Sequence, residues 1–269
     1  MHPTNCLNCG SNLGSGYKFC AGCGQKAATH RLNFHEIVHD ALHYITHADK
    51  GIFYLIGQLA RRPGTVAREY IDGRRTKYFK PINFFLIVGT ILVFMTTTFH
   101  IVDFARVKNI ETAAARVTDP AKKQYMYAVA KRAGHVSQFM GKYSNVANML
   151  ATPFFAFILY LFYRKQRYTF IEHLVASMYF ISFSMLCYSL LIVPWLGKLA
   201  TSRSSWVVLL IYFTFEMVYR GLAYYHFIGK KGFWHALKAI GVSMLTILIW
   251  VLSSLVLVER YIMTGFGFW

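Results

Sequence analysis

Negative charge is the scarcest property of this chain. Only 11 Asp and Glu stand against 29 Lys and Arg in 269 residues, and charged residues make up 15% of the total. An ordinary soluble domain carries about a quarter. Apolar residues, 55% of the chain, gather in runs of about 20, the length that crosses a bilayer core, which argues against a soluble globular protein. The Gly-rich loop of P-loop enzymes and the Gly-x-Ser-x-Gly elbow of serine hydrolases are both missing from the sequence. Without them the reading leans away from an enzyme. Met1-His2-Pro3-Thr4 runs directly into cysteines, so no secretory leader is expected. There is no internal repeat and no low-complexity tract.

The apolar runs divide into five expected transmembrane helices, at about 82–102, 146–163, 170–196, 204–228 and 239–258. The fourth is interrupted by Glu216 and Arg220, so whether it crosses fully, and hence the side of the C-terminus, stays open. Basic residues flank these runs, which favours an anionic lipid surface over nucleic acid as the partner of the positive charge. Arg61–Lys80 carries seven Lys and Arg, and further basic clusters sit at Arg164–Arg167 and at Lys230, Lys231 and Lys238. The positive-inside tendency places those ends in the cytoplasm, with the N-terminus. The 103–145 stretch becomes an extracytoplasmic helical loop, broken at Asp119-Pro120. The expected fold class is an all-α polytopic membrane protein with a small N-terminal zinc ribbon, spanning residues 1–28. Residues 30–81 form amphipathic or interfacial juxtamembrane helices.

The ribbon rests on cysteine spacing. Cys6-Leu7-Asn8-Cys9-Gly10 and Cys20-Ala21-Gly22-Cys23-Gly24 repeat one Cys-x-x-Cys-Gly unit. Two residues between thiolates let both face one ion, and the following glycine can turn backbone amides toward sulfur. Two such units complete a closed shell of four sulfurs at Cys6, Cys9, Cys20 and Cys23, which suits structural zinc and, less well, iron. A segment this short cannot build a sufficient core, so the metal is expected to serve as one. Disulfides are the alternative, disfavoured in a reducing compartment. Cys187 is expected as an apolar-like residue inside the third span.

His35, His39, His43 and His47 recur every four residues, opposite an apolar face of Phe34, Val38, Ala41 and Ile45. Glu36 and Asp40 share the histidine side. The face at Glu36, His39, His43 and His47 reads as a second metal site, as a pH-sensing surface, or, most simply, as a polar face against solvent or headgroups.

The Gly51–Ala60 run is apolar but too short to span. It is followed by Arg61-Arg62-Pro63-Gly64, with Thr65 as the expected N-cap and Gly73 the expected C′ residue of a short helix. Arg61, Arg62, Arg74, Arg75, Lys77 and Lys80 are candidates for binding anionic headgroups. The residues His47, Asp49, Lys50, Gly51, Arg62, Pro63, Gly64, Tyr70, Ile71, Gly73, Arg75, Tyr78, Pro81 and Phe85 resemble an uncharacterised family of bacterial membrane proteins. That family is defined by a short juxtamembrane domain of unknown function, and its members often pair an N-terminal zinc ribbon with several spans. The resemblance covers residues 1–90 and implies the bacterial inner (cytoplasmic) membrane, with no established activity.

Inside the spans, Glu216 and Arg220 lie one helical turn apart and can pair. With Glu172 and His173 at the inner edge of the third span they form a candidate intramembrane polar site. Three functions compete. The leading one is a non-enzymatic adaptor or regulatory scaffold whose ribbon engages a cytosolic protein. A transporter or lipid-handling protein would use Glu216, Arg220, Glu172 and the serines Ser177, Ser182 and Ser184. A membrane enzyme acting on lipid headgroups would use the histidine stripe and the juxtamembrane arginines. Homo-oligomerisation is compatible with all three.

Overall fold

The computed structural model describes residues 4–14, 16–27, 51–99, 105–199 and 204–265. The ribbon comes first, with two isolated bridges, Asn5 to Asn12 and Phe19 to Lys26, and no named strand among the described residues. Helices follow: α1 (Gly51–Arg61), α2 (Pro63–Ile71), α3 (Pro81–Thr98), α4 (Ala105–Ala115), α5 (Pro120–Tyr163), α6 (Phe170–Cys187), α7 (Val193–Leu199), α8 (Ser204–Ile228) and α9 (Phe233–Thr264). A π-helical turn, Tyr188–Ile192, joins α6 to α7. Five stretches are long and apolar enough to cross a membrane: Pro81–Thr98, Val146–Tyr163, Phe170–Leu196, Val207–Ile228 and Phe233–Thr264.

The helices are ranked by burial. Within the protein, 67% of the α6 span is buried, against 28% for α8 and 22% for α9. α6 is therefore the central post, touched by α1, α2, α3, α5 and α8. It begins with a capping box: the Thr169 backbone N–H donates to Glu172 Oε2 at 2.7 Å, and the Glu172 backbone N–H donates to Thr169 Oγ1 at 3.4 Å. At 32 residues, α9 is about 48 Å long against a hydrocarbon core of about 30 Å, so it outruns a bilayer. Its far end meets the first half of α5, where Arg132 donates to the Met263 carbonyl at 3.0 Å. That half of α5 begins at Asp119, whose carboxylate accepts from the Ala121 N–H at 2.9 Å. It pairs with α4 and joins the span through non-helical backbone at Tyr143.

At the ribbon end, two short helices lie against the bundle. α1 buries Leu55 and Leu59 and leaves Phe53 exposed. α2 starts at Pro63, with Arg62 preceding it and no side-chain cap. Thr65 is therefore inside the helix and is not its N-cap. Proline at the first turn supplies the start, because its fixed φ suits the helix and its missing N–H would be unpaired there anyway. Gly73, at φ 108°, follows the C-cap Asp72 as the expected C′ residue.

Pro63-Gly64 does more than turn the chain. A Cβ on Gly64 would lie 2.4 Å from the Ala223 carbonyl oxygen and 2.4 Å from the Phe227 nitrogen. Only glycine lets α2 come this close to the end of α8. One turn later, Arg68 donates to the carbonyls of His226 and Phe227, the last acceptors of α8 and the negative end of its dipole.

Gly64→Ala should therefore lower stability by about 1–3 kcal/mol, the usual range for overpacking. Gly57→Ala, in α1 with nothing within 4 Å of the new methyl, should be neutral or stabilising by up to about 1 kcal/mol. Thermal unfolding midpoints of the purified variants in one detergent check both expectations.

Candidate metal centre and its seat on the bundle

Each Cys-x-x-Cys-Gly unit folds into the same knuckle. The Cys6 N–H donates to the Ser11 carbonyl at 2.8 Å, and the Gly10 N–H donates to the Cys6 carbonyl at 2.9 Å. The second knuckle repeats these bonds with Cys20 N–H to Gln25 O at 2.7 Å and Gly24 N–H to Cys20 O at 2.9 Å. Gly10 at φ 79° and Gly24 at φ 71° occupy the left-handed region that closes each turn. The glycines predicted from spacing thus have a steric reason.

The four sulfurs of Cys6, Cys9, Cys20 and Cys23 lie within 4.8 Å of one another, and the Cys6–Cys23 and Cys9–Cys20 pairs are 3.6 Å apart. Tetrahedral zinc–thiolate bonds of about 2.3 Å imply sulfur–sulfur separations of about 3.8 Å, so the group fits a tetrahedral metal. Cys9 Sγ is 3.2 Å from Ser11 Oγ. This side-chain hydrogen bond, with a second from the Ser11 backbone, brings the Cys9 thiol down to about 6, toward the thiolate a metal needs. The buried core of the ribbon is Cys6, Leu13, Cys20 and Ala27. Two of those four residues belong to the four-cysteine cluster, so an ion held by all four sulfurs would serve as core and keep no open position.

The ribbon is seated on the bundle through Gln25, which is 4% exposed. Its amide donates to the Gly73 carbonyl at 2.8 Å, and its oxygen accepts from the Thr76 N–H at 3.3 Å and the Thr76 hydroxyl at 3.2 Å. The Gln25 carbonyl meanwhile closes the second knuckle. One residue therefore couples the metal turn to the 72–80 connection. Spacing gave no sign of this role, because a glutamine after Cys-Gly looks like any polar turn residue.

The 72–80 connection is itself organised on Glu69. Its carboxylate accepts from Lys77 Nζ at 2.6 Å and the Tyr78 hydroxyl at 2.8 Å, with Arg74 at 3.6 Å. Partial burial alone would raise the Glu69 carboxyl, but these donors hold it below the usual range. Burial and the bond to Glu69 push the Tyr78 hydroxyl up. A depressed carboxyl stabilises the fold fully at neutral pH, and that contribution is lost as pH falls through the lowered value.

Among the headgroup candidates, Arg74 and Lys77 direct their charge at Glu69, and Arg62 donates to Gln58. Arg75 and Lys80 are likewise engaged within the chain, while Arg61 is exposed at the end of α1. Tyr70 packs edge-on against Tyr179, whose hydroxyl donates to the Phe79 carbonyl at 2.7 Å.

Inside the bundle, Arg220 Nη1 is 3.2 Å from Glu216 Oε1, and its guanidinium lies 4.2 Å from the Phe155 ring centroid on α5. The side chains are 4% and 15% exposed. His173 is fully buried with its ring stacked on Tyr224, whose hydroxyl lies 2.9 Å from Ser177 Oγ. Glu172 is committed to the capping box. The structure thus brings Glu216 to Arg220, and His173 to Tyr224, but engages Glu172 elsewhere. Ser182 and Ser184 donate to their own helix, at the Met178 and Phe180 carbonyls, so they do not line a polar path.

The histidine stripe, Glu36, His39, His43 and His47, lies outside the described residues. His35-Glu36-Ile37-Val38-His39 is a His-Glu-x-x-His sequence, in which two imidazoles one turn apart can hold zinc while the glutamate acts as base.

Metal analysis separates the two candidate sites. The ribbon alone gives about one zinc per chain, lost in Cys20→Ser and retained in Cys187→Ser. A second equivalent that survives Cys20→Ser and disappears in His35→Ala would place a second site on the stripe. In the bundle, Glu216→Gln should destabilise by about 3–5 kcal/mol, because it leaves Arg220 charged and unpaired in a dry site. Glu216→Gln combined with Arg220→Met should recover most of that loss in the same unfolding assay.

Residues 49–93 match the model of a protein family of unknown function (DUF3667). The match begins at the start of α1 and runs through α2 and the Glu69-organised connection into α3. No curated protein and no solved structure matches the chain.

Proposed function

We propose that this chain is a non-enzymatic adaptor of a bacterial inner membrane, with a zinc ribbon held at the cytoplasmic end of a five-helix bundle to engage a cytosolic protein. The observation that carries this reading is the asymmetry of the ribbon. One side is fixed to the bundle through buried Gln25, while Leu7, Tyr17 and Phe19 are 43%, 57% and 55% exposed. A small module that spends its scarce apolar residues on solvent is a candidate contact surface. The closed four-sulfur shell supports a structural role for the metal.

The transport reading fares less well. Glu216 is paired with Arg220 on its own helix, Ser182 and Ser184 bond to backbone, and Ser177 is paired with the Tyr224 hydroxyl. That arrangement favours a packing role, tying α8 to α5 through Phe155. A second reading is favoured by one sequence feature: the His35-Glu36-x-x-His39 order suits metal-assisted hydrolysis. It requires the second zinc equivalent described above.

A photo-crosslinking residue at Tyr17 tests the adaptor reading in cells. The expected result is a discrete adduct with one cytosolic protein, absent when the same residue stands at Phe94, which is exposed on the α3 span. Adducts only with lipid or with the chain itself would contradict it.

A further inference from the structure

At the ribbon end, a cleft of about 90 Å³ opens between the end of α5, the α5–α6 connection, the end of α8 and the start of α9. It has room for one tetrahedral oxyanion or a few waters. Its polar groups come from Tyr163, Gln166, Tyr225, Lys230, His235 and Lys238, and among the described residues that line it none is acidic. We propose that this cleft binds one phosphate-class oxyanion, presented by the headgroup of an anionic phospholipid. The proposal is independent of the adaptor reading.

The floor of the cleft is built for a ligand. Tyr163 is 7% exposed, and its buried hydroxyl has no hydrogen-bond partner. A buried hydroxyl is normally satisfied, so an acceptor is missing from the site. Lys238 Nζ stands 5.3 Å from the centroid of the same ring, which places a cation beside the residue that carries the unpartnered hydroxyl.

The rim is held in place by a tight turn. Gly229 at φ 76° and Gly232 at φ 123° let the chain reverse in four residues between α8 and α9. The Gly232 N–H donates to the Tyr225 hydroxyl at 3.2 Å, which pins the turn to α8 and sets Lys230 at the mouth. α9 starts after Gly232 without a side-chain cap, so its first-turn amides and the positive end of a 32-residue helix face this region. Phe233 and Trp234, the first residues of α9, are 73% and 77% exposed. Aromatics so exposed beside lysines mark the headgroup level of a bilayer. That level makes a lipid phosphate a better-matched source than a free one.

The test uses the full chain, purified and delipidated, with bound lipid read by native mass spectrometry. Phosphatidylglycerol, phosphatidylcholine and inorganic phosphate are added separately. The expected result is retention of phosphatidylglycerol over phosphatidylcholine, weakened roughly tenfold by Lys230→Gln with Lys238→Gln. Lys231→Gln, a neighbouring lysine outside the cleft, should leave retention unchanged. Tyr163→Phe, which removes only the unpartnered hydroxyl, should weaken it as well and decides the matter if the double variant fails to fold. Binding of inorganic phosphate alone, with the same dependence on these residues, would keep the oxyanion site and make free phosphate its ligand. Equal retention of the two lipids without phosphate binding would overturn the proposal. So would an equal loss in Lys231→Gln, or no loss in Tyr163→Phe.

Discussion

α8 ends at Ile228, where the His226 carbonyl is met from α2 and the Phe227 carbonyl is shared between α2 and the Tyr168 hydroxyl. Arg68 supplies the donors and Gly64 supplies the clearance. Both conditions are strict. A methyl at position 64 would collide with backbone atoms of α8, which cannot swing aside as a side chain can. A guanidinium at 68 reaches two carbonyls at once, which a lysine's point charge does less well. The seat of the ribbon is built out from that joint. α2 carries Glu69, Glu69 gathers Arg74, Lys77 and Tyr78, and the turn they stabilise presents Gly73 and Thr76 to Gln25 of the ribbon.

This chain of contacts gives physical content to the family-matching segment. Its dense basic and aromatic composition invites a reading as a headgroup belt. The geometry assigns several of those residues internal work: Arg74 and Lys77 face Glu69, Tyr70 packs on Tyr179, and Tyr78 stacks on Tyr54. The segment lies between the four-cysteine turn and the helical bundle and bonds to both.

Much of this architecture was legible beforehand, for local reasons. The five apolar runs and the two cysteine knuckles are written in contiguous sequence, where length and spacing alone decide the outcome. Gly73 as a helix-ending residue was legible in the same way. Thr65 lies inside α2 and not at its cap, because a proline at the first turn needs no side-chain cap. The contact of Gly64 with Ala223, the bond from Gln25 to Gly73 and the cleft around Tyr163 each join distant segments. No local pattern announces such meetings. The polar cluster of Glu172, His173, Glu216 and Arg220 fared in between. Helical spacing pairs Glu216 with Arg220, while the Thr169-x-x-Glu172 order is itself the local signature of the capping box that engages Glu172.

The central claim is that the metal turn and the juxtamembrane joint form one unit through Gln25. Hydrogen–deuterium exchange of the Thr76 amide, the backbone N–H from which Gln25 accepts, tests it most directly. Strong protection in the zinc-loaded protein, lost both on chelation and in Gln25→Ala, is the result expected. Equal exchange with and without metal, or no change in Gln25→Ala, would contradict it.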